Sequence, residues 1–464
     1  MVDMTGTSWQ QRYCASQIFT LRCRITDKPG MFAKLSDCLG RAGAYMGEIN
    51  LVGLENEHKI RDVTVYLADR KQLDKLLEMV KSIDGTDIIS VTDEILEIHR
   101  RGSIEVVSRV PIENLTDLRM LYTPGVAAVC EEVKNNPAMA WEMTGICDRV
   151  AIATNGTAVL GLGNIGPVAS LPVMEGKAAI LAEFVGISGF PVLIDTEDID
   201  IFVETVVRIA SGFGAIQLED IAAPDCFEIE EKLRAKLNIP VFHDDQHGTA
   251  TVVLAALINA IEQTNKNPRH CSVVMLGAGA AGFAISQILL EFGIGDIVLY
   301  DSKGAIYRGR SKNMNPYKQQ LAKVTNKNNE KGSLSEGFIG KDIFIGVSRP
   351  NMVSKEMVAS MAKDPVVLPL SNPVGEISKE EAIEAGAAIA ADGRDINNAL
   401  AYPGIFRGAL DARATQITLA MQLAAAEELA GLAPANALLP DILERAVHEK
   451  VAQAVAAAWE GQKA

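Results

Sequence analysis

The stretch FHDDQHGTA, residues 242–250, sets two aspartates and two histidines against a glycine and runs straight into the apolar segment TVVLAALINAI. A second acid pair, Glu219–Asp220, closes the run AIQLED. Aspartate suits a helix N-cap and the positive end of the helix dipole, which is the plain account of Asp244 and Asp245. Metal binding is the sharper account. Both pairs end strand-like runs in a stretch where short β-rich and longer helical segments alternate, and open parallel sheets gather ligands at the carboxyl ends of their strands. Three or four carboxylates converging there repel one another unless a cation sits among them. A hard divalent ion, Mg²⁺ or Mn²⁺, takes that many oxygen donors and leaves positions for substrate oxygens. Beside so many acids, His243 and His247 read as structural or supporting residues rather than zinc ligands.

Two glycine fingerprints of the form GxGxxG occur, at Gly161, Gly163, Gly166 and at Gly277, Gly279, Gly282. Dinucleotide binding needs a strand before, a helix after, and an acid at the end of the next strand. The second copy has all three. SVVML precedes it, FAISQILLEFG follows, and DIVLYD ends at Asp301, 19 residues past Gly282. Gly277, Gly279 and Gly282, with Ala280 and Ala281 between the last two, are expected to cradle a pyrophosphate on backbone amides at a helix N-terminus. Asp301 is expected to take a ribose hydroxyl pair. A carboxylate there repels a 2′-phosphate and favours NAD over NADP, although Lys303, Arg308 and Arg310 follow closely and offer cations for that phosphate. The first copy lacks a well-placed acid, its next strand candidate being Asp195, and reads as a close-packed turn lining the cleft.

These residues need a scaffold, and the chain predicts an α/β fold of several domains. At 464 residues it is too long for one ordinary core. Residues 17–97 run strand, helix, strand, strand, helix, strand, a ferredoxin-like βαββαβ order, so a domain is expected over 1–98. A parallel-sheet α/β domain carrying the acid pairs follows over 99–265, with VAIATNG and TAVLGLG among its β-rich runs and the polar segment EQTNKNPRH as its boundary. A second, Rossmann-like α/β domain spans 266–410, and the Ala-, Leu- and Glu-rich tail 411–464 should form helices packed on the catalytic core. The net charge of −15 argues against nucleic-acid backbones and anionic membranes as partners. No apolar run has the length of a membrane span, and the first residues lack a secretory pattern. Seven scattered cysteines without a CxxC pair suggest reduced thiols in a cytoplasm.

Taken together, LYTPGVA (121–127), PVMEGKAAI (172–180), QLEDIAAPDCFEIEEKL (217–233), FHDDQHGTA, GAGAAG, LSNPVGEI (370–377) and NNALAYPGIFRGALD (397–411) resemble malic enzyme of the compact bacterial type, in order over residues 105–460. Residues 17–97, through their element order and the DKPGMFAKL turn, resemble an ACT domain, a small-molecule-sensing module. The first resemblance implies oxidative decarboxylation of L-malate to pyruvate and CO₂ with NAD or NADP and a divalent metal, Mg²⁺ or Mn²⁺. Carried over by motif, it implies Glu219, Asp220 and Asp245 as metal ligands, Lys177 as general base and Tyr122 as the acid that protonates the enol. It implies Asn372 and Asn398 at the substrate or the nicotinamide. A lysine base needs neighbours and metal that lower its pKa. Larger members of the family carry an arginine before the first glycine fingerprint to hold the substrate carboxylate, where this chain has Ala158. The ACT resemblance implies a small effector near Asp27, Gly30 and Met31, or a module that serves dimerisation, and a homodimer or higher homo-oligomer is expected. Rival readings are a malolactic enzyme on the same scaffold, a metal-free 2-hydroxy-acid dehydrogenase, and a non-catalytic ACT-based sensor. The dehydrogenase needs a histidine near the nucleotide, and beyond Asp301 this chain has only His448.

Overall fold

The computed structural model describes residues 17–159 and 161–462. The chain divides between Glu105 and Val106 into two compact units.

In the first unit, strands β1 (Gln17–Thr26), β2 (Tyr45–Glu55), β3 (His58–Leu67) and β4 (Thr86–Asp93) form an antiparallel sheet in the order β2-β3-β1-β4. Helices α1 (Met31–Arg41) and α2 (Arg70–Lys81) lie in the two crossovers. Alternation decides which face is covered. Phe19, Leu21, Cys23 and Ile25 of β1 are buried, and they share one apolar cluster with Leu35 and Leu39 of α1 and Leu73 and Leu76 of α2. Each such side chain contributes roughly 1.5–3 kcal/mol on burial. The order βαββαβ is the expected ferredoxin-like one.

The second unit holds two sheets. Strands β5 (Arg149–Thr154), β6 (Ser188–Leu193), β7 (Ala215–Leu218) and β8 (Val241–His243) are parallel, in the order β6-β5-β7-β8. The other sheet has β9 (Ser272–Leu276), β10 (Asp296–Asp301), β11 (Gly304–Ala305), β12 (Ile343–Gly346), β13 (Val366–Pro369) and β14 (Ile389–Ala390), in the order β11-β10-β9-β12-β13-β14. It is parallel except for the short β10–β11 hairpin. Strands covered on both faces read as unbroken apolar runs, as in Val150–Ala153 and Ile343–Ile345, all fully buried. This is the expected α/β architecture with a Rossmann-like second sheet.

One expected β-run is absent. The described residues of TAVLGLG form no strand and contribute a lone bridge between Val159 and Gly163. Gly156, Gly161, Gly163 and Gly166 all have positive φ. Residues in that region turn the backbone out of a ladder, so the segment is a glycine loop.

The loop leads into α3 (Gly166–Val185), and β8 leads into α4 (Asp244–Gln263), which is buried along most of its length. Three later helices, α5 (Tyr402–Asp411), α6 (Leu419–Leu432) and α7 (Arg445–Gly461), close over this core. Asn259 of α4 donates to the carbonyls of Ala430 and Leu438 at 3.0 and 2.9 Å. A Cβ at Gly404 would stand 2.7 Å from Val451, so α5 and α7 touch backbone to side chain. None of the described helices is long and apolar enough to cross a membrane.

Candidate active site

Glu219 and Asp220 stand just past the end of β7, and Asp244 and Asp245 just past the end of β8. Neither aspartate caps its helix. The N-cap is His243, and the two acids occupy the first turn of α4. Oxygens of Glu219, Asp220 and Asp245 lie within 4.8 Å of one another, the first two residues being buried. The backbone is bent to bring them together. Asp220 has φ 54°, and its amide donates to Asp245 Oδ2 at 2.9 Å while its carbonyl accepts from Ala158 N at 3.0 Å. A left-handed non-glycine residue costs roughly 1–3 kcal/mol and persists where its surroundings over-determine it.

Asp244 is not one of this trio. Its Oδ2 accepts from Lys177 Nζ and from Asn398 Nδ2, the latter at 2.8 Å. Lys177, from the middle of α3, also lies 3.0 Å from Glu219 Oε1 and 4.7 Å from the centroid of the Tyr402 ring. Gln217 holds the other oxygen of Glu219 at 2.8 Å. A Cβ at Gly248 would fall 1.8 Å from Asp244 Oδ1, so only glycine leaves room for this carboxylate.

The electrostatics follow from burial and charge. Burial works to strip the Lys177 ammonium of its proton, but the facing carboxylates of Asp244 and Glu219 outweigh it and raise Lys177 well above the usual lysine range. By themselves these carboxylates keep the Lys177 ammonium protonated; a lysine base needs a bound metal among the neighbours that lower its pKa. Glu219 is pushed well above the ordinary carboxylate range, first by burial and then by Asp245, Asp244 and Asp220, against the pull of Lys177. Burial likewise raises Asp244. Such a donor set fits a hard divalent cation, because mutual repulsion among the acids is what that ion relieves.

Glu230 braces the same turn from behind. It accepts from His247 Nε2 at 2.9 Å, Gln246 Nε2 at 3.1 Å and the His243 amide at 3.4 Å, and pairs with Arg234 at 2.8 Å. His243 is fully buried, 3.7 Å from Asp245, and burial lowers its pKa. The supporting reading of both histidines agrees with this geometry.

In the second fingerprint, a Cβ on Gly277 would strike Val347 O at 2.5 Å, and one on Gly282 would strike Gly277 O at 2.1 Å. Gly279 faces open space at the N-cap of the helix that begins with Ala280 and Ala281, where a ligand's phosphates can approach the backbone. Asp301 ends β10 as expected, but its carboxylate is already engaged. Arg310 donates to Oδ1 at 2.6 Å, and Lys318 and Asn313 donate to Oδ2 at 2.7 and 3.0 Å. Arg310 is thereby spent inside the fold, and Arg308 donates to the Lys323 carbonyl at 2.7 Å. Of the three cations offered to a 2′-phosphate, Lys303 alone has no side-chain hydrogen bond among the described residues.

Asn372 sits against the first glycine loop, its backbone carbonyl 3.5 Å from where a Gly161 Cβ would be. Tyr122 is not brought to the acids within this chain. It follows a short helix, Leu115–Leu121, and is 67% exposed. In the first unit, Gly30 has φ 85° before α1, Asp27 pairs with Lys59 at 2.7 Å, and the Met31 side chain is buried in the core. The side chain of Met31 therefore lines no effector site, and its amide donates to Lys28 O at 3.3 Å. His448 stacks on Phe184 at 4.5 Å and bonds the Ile442 carbonyl, far in role from a dehydrogenase histidine. Sequence reading missed the pairing of Lys177 with Asp244, and it missed Tyr402, although both lie inside quoted motifs.

The malic enzyme N-terminal domain matches residues 101–234, and the malic enzyme NAD-binding domain matches residues 246–396. The NAD-dependent malic enzyme of Geobacillus stearothermophilus is 44% identical over 451 residues, covering 95% of this chain and 94% of that one. The bifunctional malic/malolactic enzyme of Bacillus subtilis (strain 168) is 48% identical over 378 residues, covering 80% and 92%. The crystal structure of NAD-dependent malic enzyme from Thermotoga maritima aligns with a TM-score of 0.75 at 41% identity, over 78% of this chain and 98% of that one. With both domains matched and a relative aligned over nearly its whole length, the chain belongs to the malic enzyme family.

Proposed function

We propose that this chain oxidises L-malate with NAD⁺ and decarboxylates the product to pyruvate and CO₂, using the acids at the ends of β7 and β8. The observation that carries the reading is the Lys177 ammonium held between Asp244 and Glu219 at the edge of three converging carboxylates. Glu219, Asp220 and Asp245 would hold Mg²⁺ or Mn²⁺. Bound there, the ion supplies Lewis-acid stabilisation for substrate oxygens and offsets the charge of the acids.

Oxidation moves a hydride from C2 of malate to the nicotinamide and a proton from the C2 hydroxyl to a base. Lys177 Nζ performs the second task jointly with Asp244. As Nζ passes its shared proton to Asp244 Oδ2, it accepts the hydroxyl proton, so the buried pair carries one added proton between them. Asn398 keeps Asp244 aligned for this. The keto acid then breaks its C3–C4 bond, releasing CO₂ and leaving an enolate that takes a proton at C3. Tyr122 is the acid in this reading, and its exposure sets a condition. Val106, Val107, Leu115 and Met120, on the same arm, are 90%, 71%, 68% and 65% exposed. An apolar surface of that kind belongs to an interface, so the arm is covered by a second copy in a homodimer or larger homo-oligomer, and Tyr122 acts there.

Backbone amides at Gly277, Gly279, Ala280, Ala281 and Gly282 hold the cofactor's pyrophosphate, Asp301 faces its ribose, and Asn372 and Asn398 line the substrate and nicotinamide. NAD is favoured over NADP, in keeping with the carboxylate at the end of β10. The domains read as 1–98, 99–265, 266–410 and 411–464. The first is an ACT-like module whose Asp27–Gly30 turn takes a small effector, supported by its element order and its glycine-led helix start. Unpaired thiols at all six described cysteines support a reducing compartment, the cytoplasm.

The test is nicotinamide absorbance with purified protein, L-malate and NAD⁺ or NADP⁺, with and without Mn²⁺. Metal-dependent NADH formation with pyruvate is expected, faster than with NADP⁺. A flat trace accompanied by lactate would replace this reading with the malolactic one, which the bifunctional Bacillus subtilis relative makes the second choice.

A further inference from the structure

Beside the β10–β11 hairpin a cavity of about 370 Å³ opens between residues 303–312 and 331–333. Its walls include Lys303, Lys312, Lys331 and the Tyr307 ring, and no aspartate or glutamate lines it. Arg310 forms its floor. That guanidinium, 3% exposed, donates to the carbonyls of Lys312, Gly304 and Ala305 at 2.9, 3.0 and 2.9 Å, and to Asp301. The three lysines are different. Among the described residues none of them makes an ion pair, and Lys331 Nζ stands 4.9 Å from the Tyr307 ring centroid.

Two acids beside these segments are paired with other cations, and a third is bonded to a serine of the wall. Asp301 is held by Arg310 and Lys318, Glu330 by Lys341 at 2.7 Å, and Glu336 by the amide and hydroxyl of Ser333 at 2.7 and 2.8 Å. In a chain of net charge −15, three lysines without an ion-pair partner among the described residues thus line one concave space. Low-dielectric walls focus such a field, and like charges held together favour an anion between them. Lysine binds phosphate as a point charge, the Ser311 and Ser333 hydroxyls stand on the same walls, and the volume is that of a small-ligand pocket.

We propose that this cavity is a binding site for a small, multiply charged phosphate compound, separate from the cofactor. Arg310 joins the cavity floor to Asp301, so the anion and the cofactor bind in a coupled way, each changing the other's affinity by the same factor. The coupling rests on the assignment of Asp301 to the cofactor ribose; the anion site does not.

Calorimetric titration of the full chain with sodium pyrophosphate, under saturating NAD⁺ and without divalent ion, tests it. NAD⁺ keeps the probe off the glycine loop. Saturable binding is expected, weakened at least tenfold in the double variant Lys312→Glu, Lys331→Glu, which should keep its malate turnover and so report its own folding. Absence of binding by the unaltered protein, or equal binding by the variant, overturns the site. No pyrophosphate binding together with a variant defect confined to NADP⁺ also overturns it, and assigns the lysines to the cofactor's 2′-phosphate. Pyrophosphate should shift NAD⁺ affinity at least twofold more in the unaltered protein than in the double variant, which shares its glycine loop and so the direct competition there; equal shifts in the two remove the coupling while leaving the site.

Discussion

The amide of Asp220 donates to Oδ2 of Asp245 across 2.9 Å, so the ends of two neighbouring parallel strands are tied together through a residue with φ 54°. One bond thus sets the spacing of two proposed metal ligands and holds a strained backbone. Asp245→Ala removes a ligand and this clamp at once. We expect Mn²⁺ affinity, read by direct titration, to fall at least about 100-fold, the upper range seen when even supporting residues of metal sites are lost. Activity should fall with it. Full activation by Mn²⁺ in the variant would return Asp245 to a purely structural role.

Lys177→Ala should lower turnover by about 10²–10⁴-fold, the usual contribution of a positioned proton-transfer group. NAD⁺ affinity should stay unchanged, because the glycine loop is built from other residues. Asp244→Asn should lower kcat more than it raises KM, since Asp244 acts on the Lys177 proton rather than on the substrate. Wild-type turnover in either variant would remove the shared-proton mechanism.

Gly248→Ala places a Cβ 1.8 Å from Asp244 Oδ1. The carboxylate cannot swing away while Lys177 and Asn398 hold its other oxygen. Overpacking of this kind costs roughly 1–3 kcal/mol. Denaturant unfolding should show that loss, accompanied by at least a tenfold loss of kcat; a stable variant with unchanged kcat would mean the turn yields freely.

Glu230 supplies a pH signature. Burial works to raise it, but His247 and Arg234 bring its pKa down to about 2 from the usual 4.5. A depressed carboxylate contributes stability that is fully present above its unfolded pKa and is lost as pH falls towards the folded one. The contribution is of order 3 kcal/mol. The difference in unfolding free energy between the protein and Glu230→Gln should shrink as pH falls from about 5 towards 3. A difference independent of pH would show that the carboxylate charge is not what braces the turn.

The strand–helix alternation, the two acid pairs and the second glycine loop were readable because each is local. Burial of Val150–Ala153, the position of Asp301 at a strand end and the approach of Gly282 to Gly277 all follow from residue types within a few positions of one another. TAVLGLG misled because its apolar content resembles a strand, while its glycines take φ values that no ladder accepts. At Ala158 the side chain carries no function that sequence would register, yet its amide holds the Asp220 carbonyl.

Residue chemistry alone was enough to name the carboxylates, the lysine and the nucleotide loop as participants. Their partnerships depended on packing. Lys177 meets Asp244 across 67 residues, and Asn398 meets Asp244 across 154. Arg310 and Lys318 reach back to Asp301 and change what that acid offers a cofactor. Charge falls off with distance and is screened by water, so which cation neutralises which acid is set by the few ångströms and the burial that the folded chain imposes, and no spacing along the sequence encodes them.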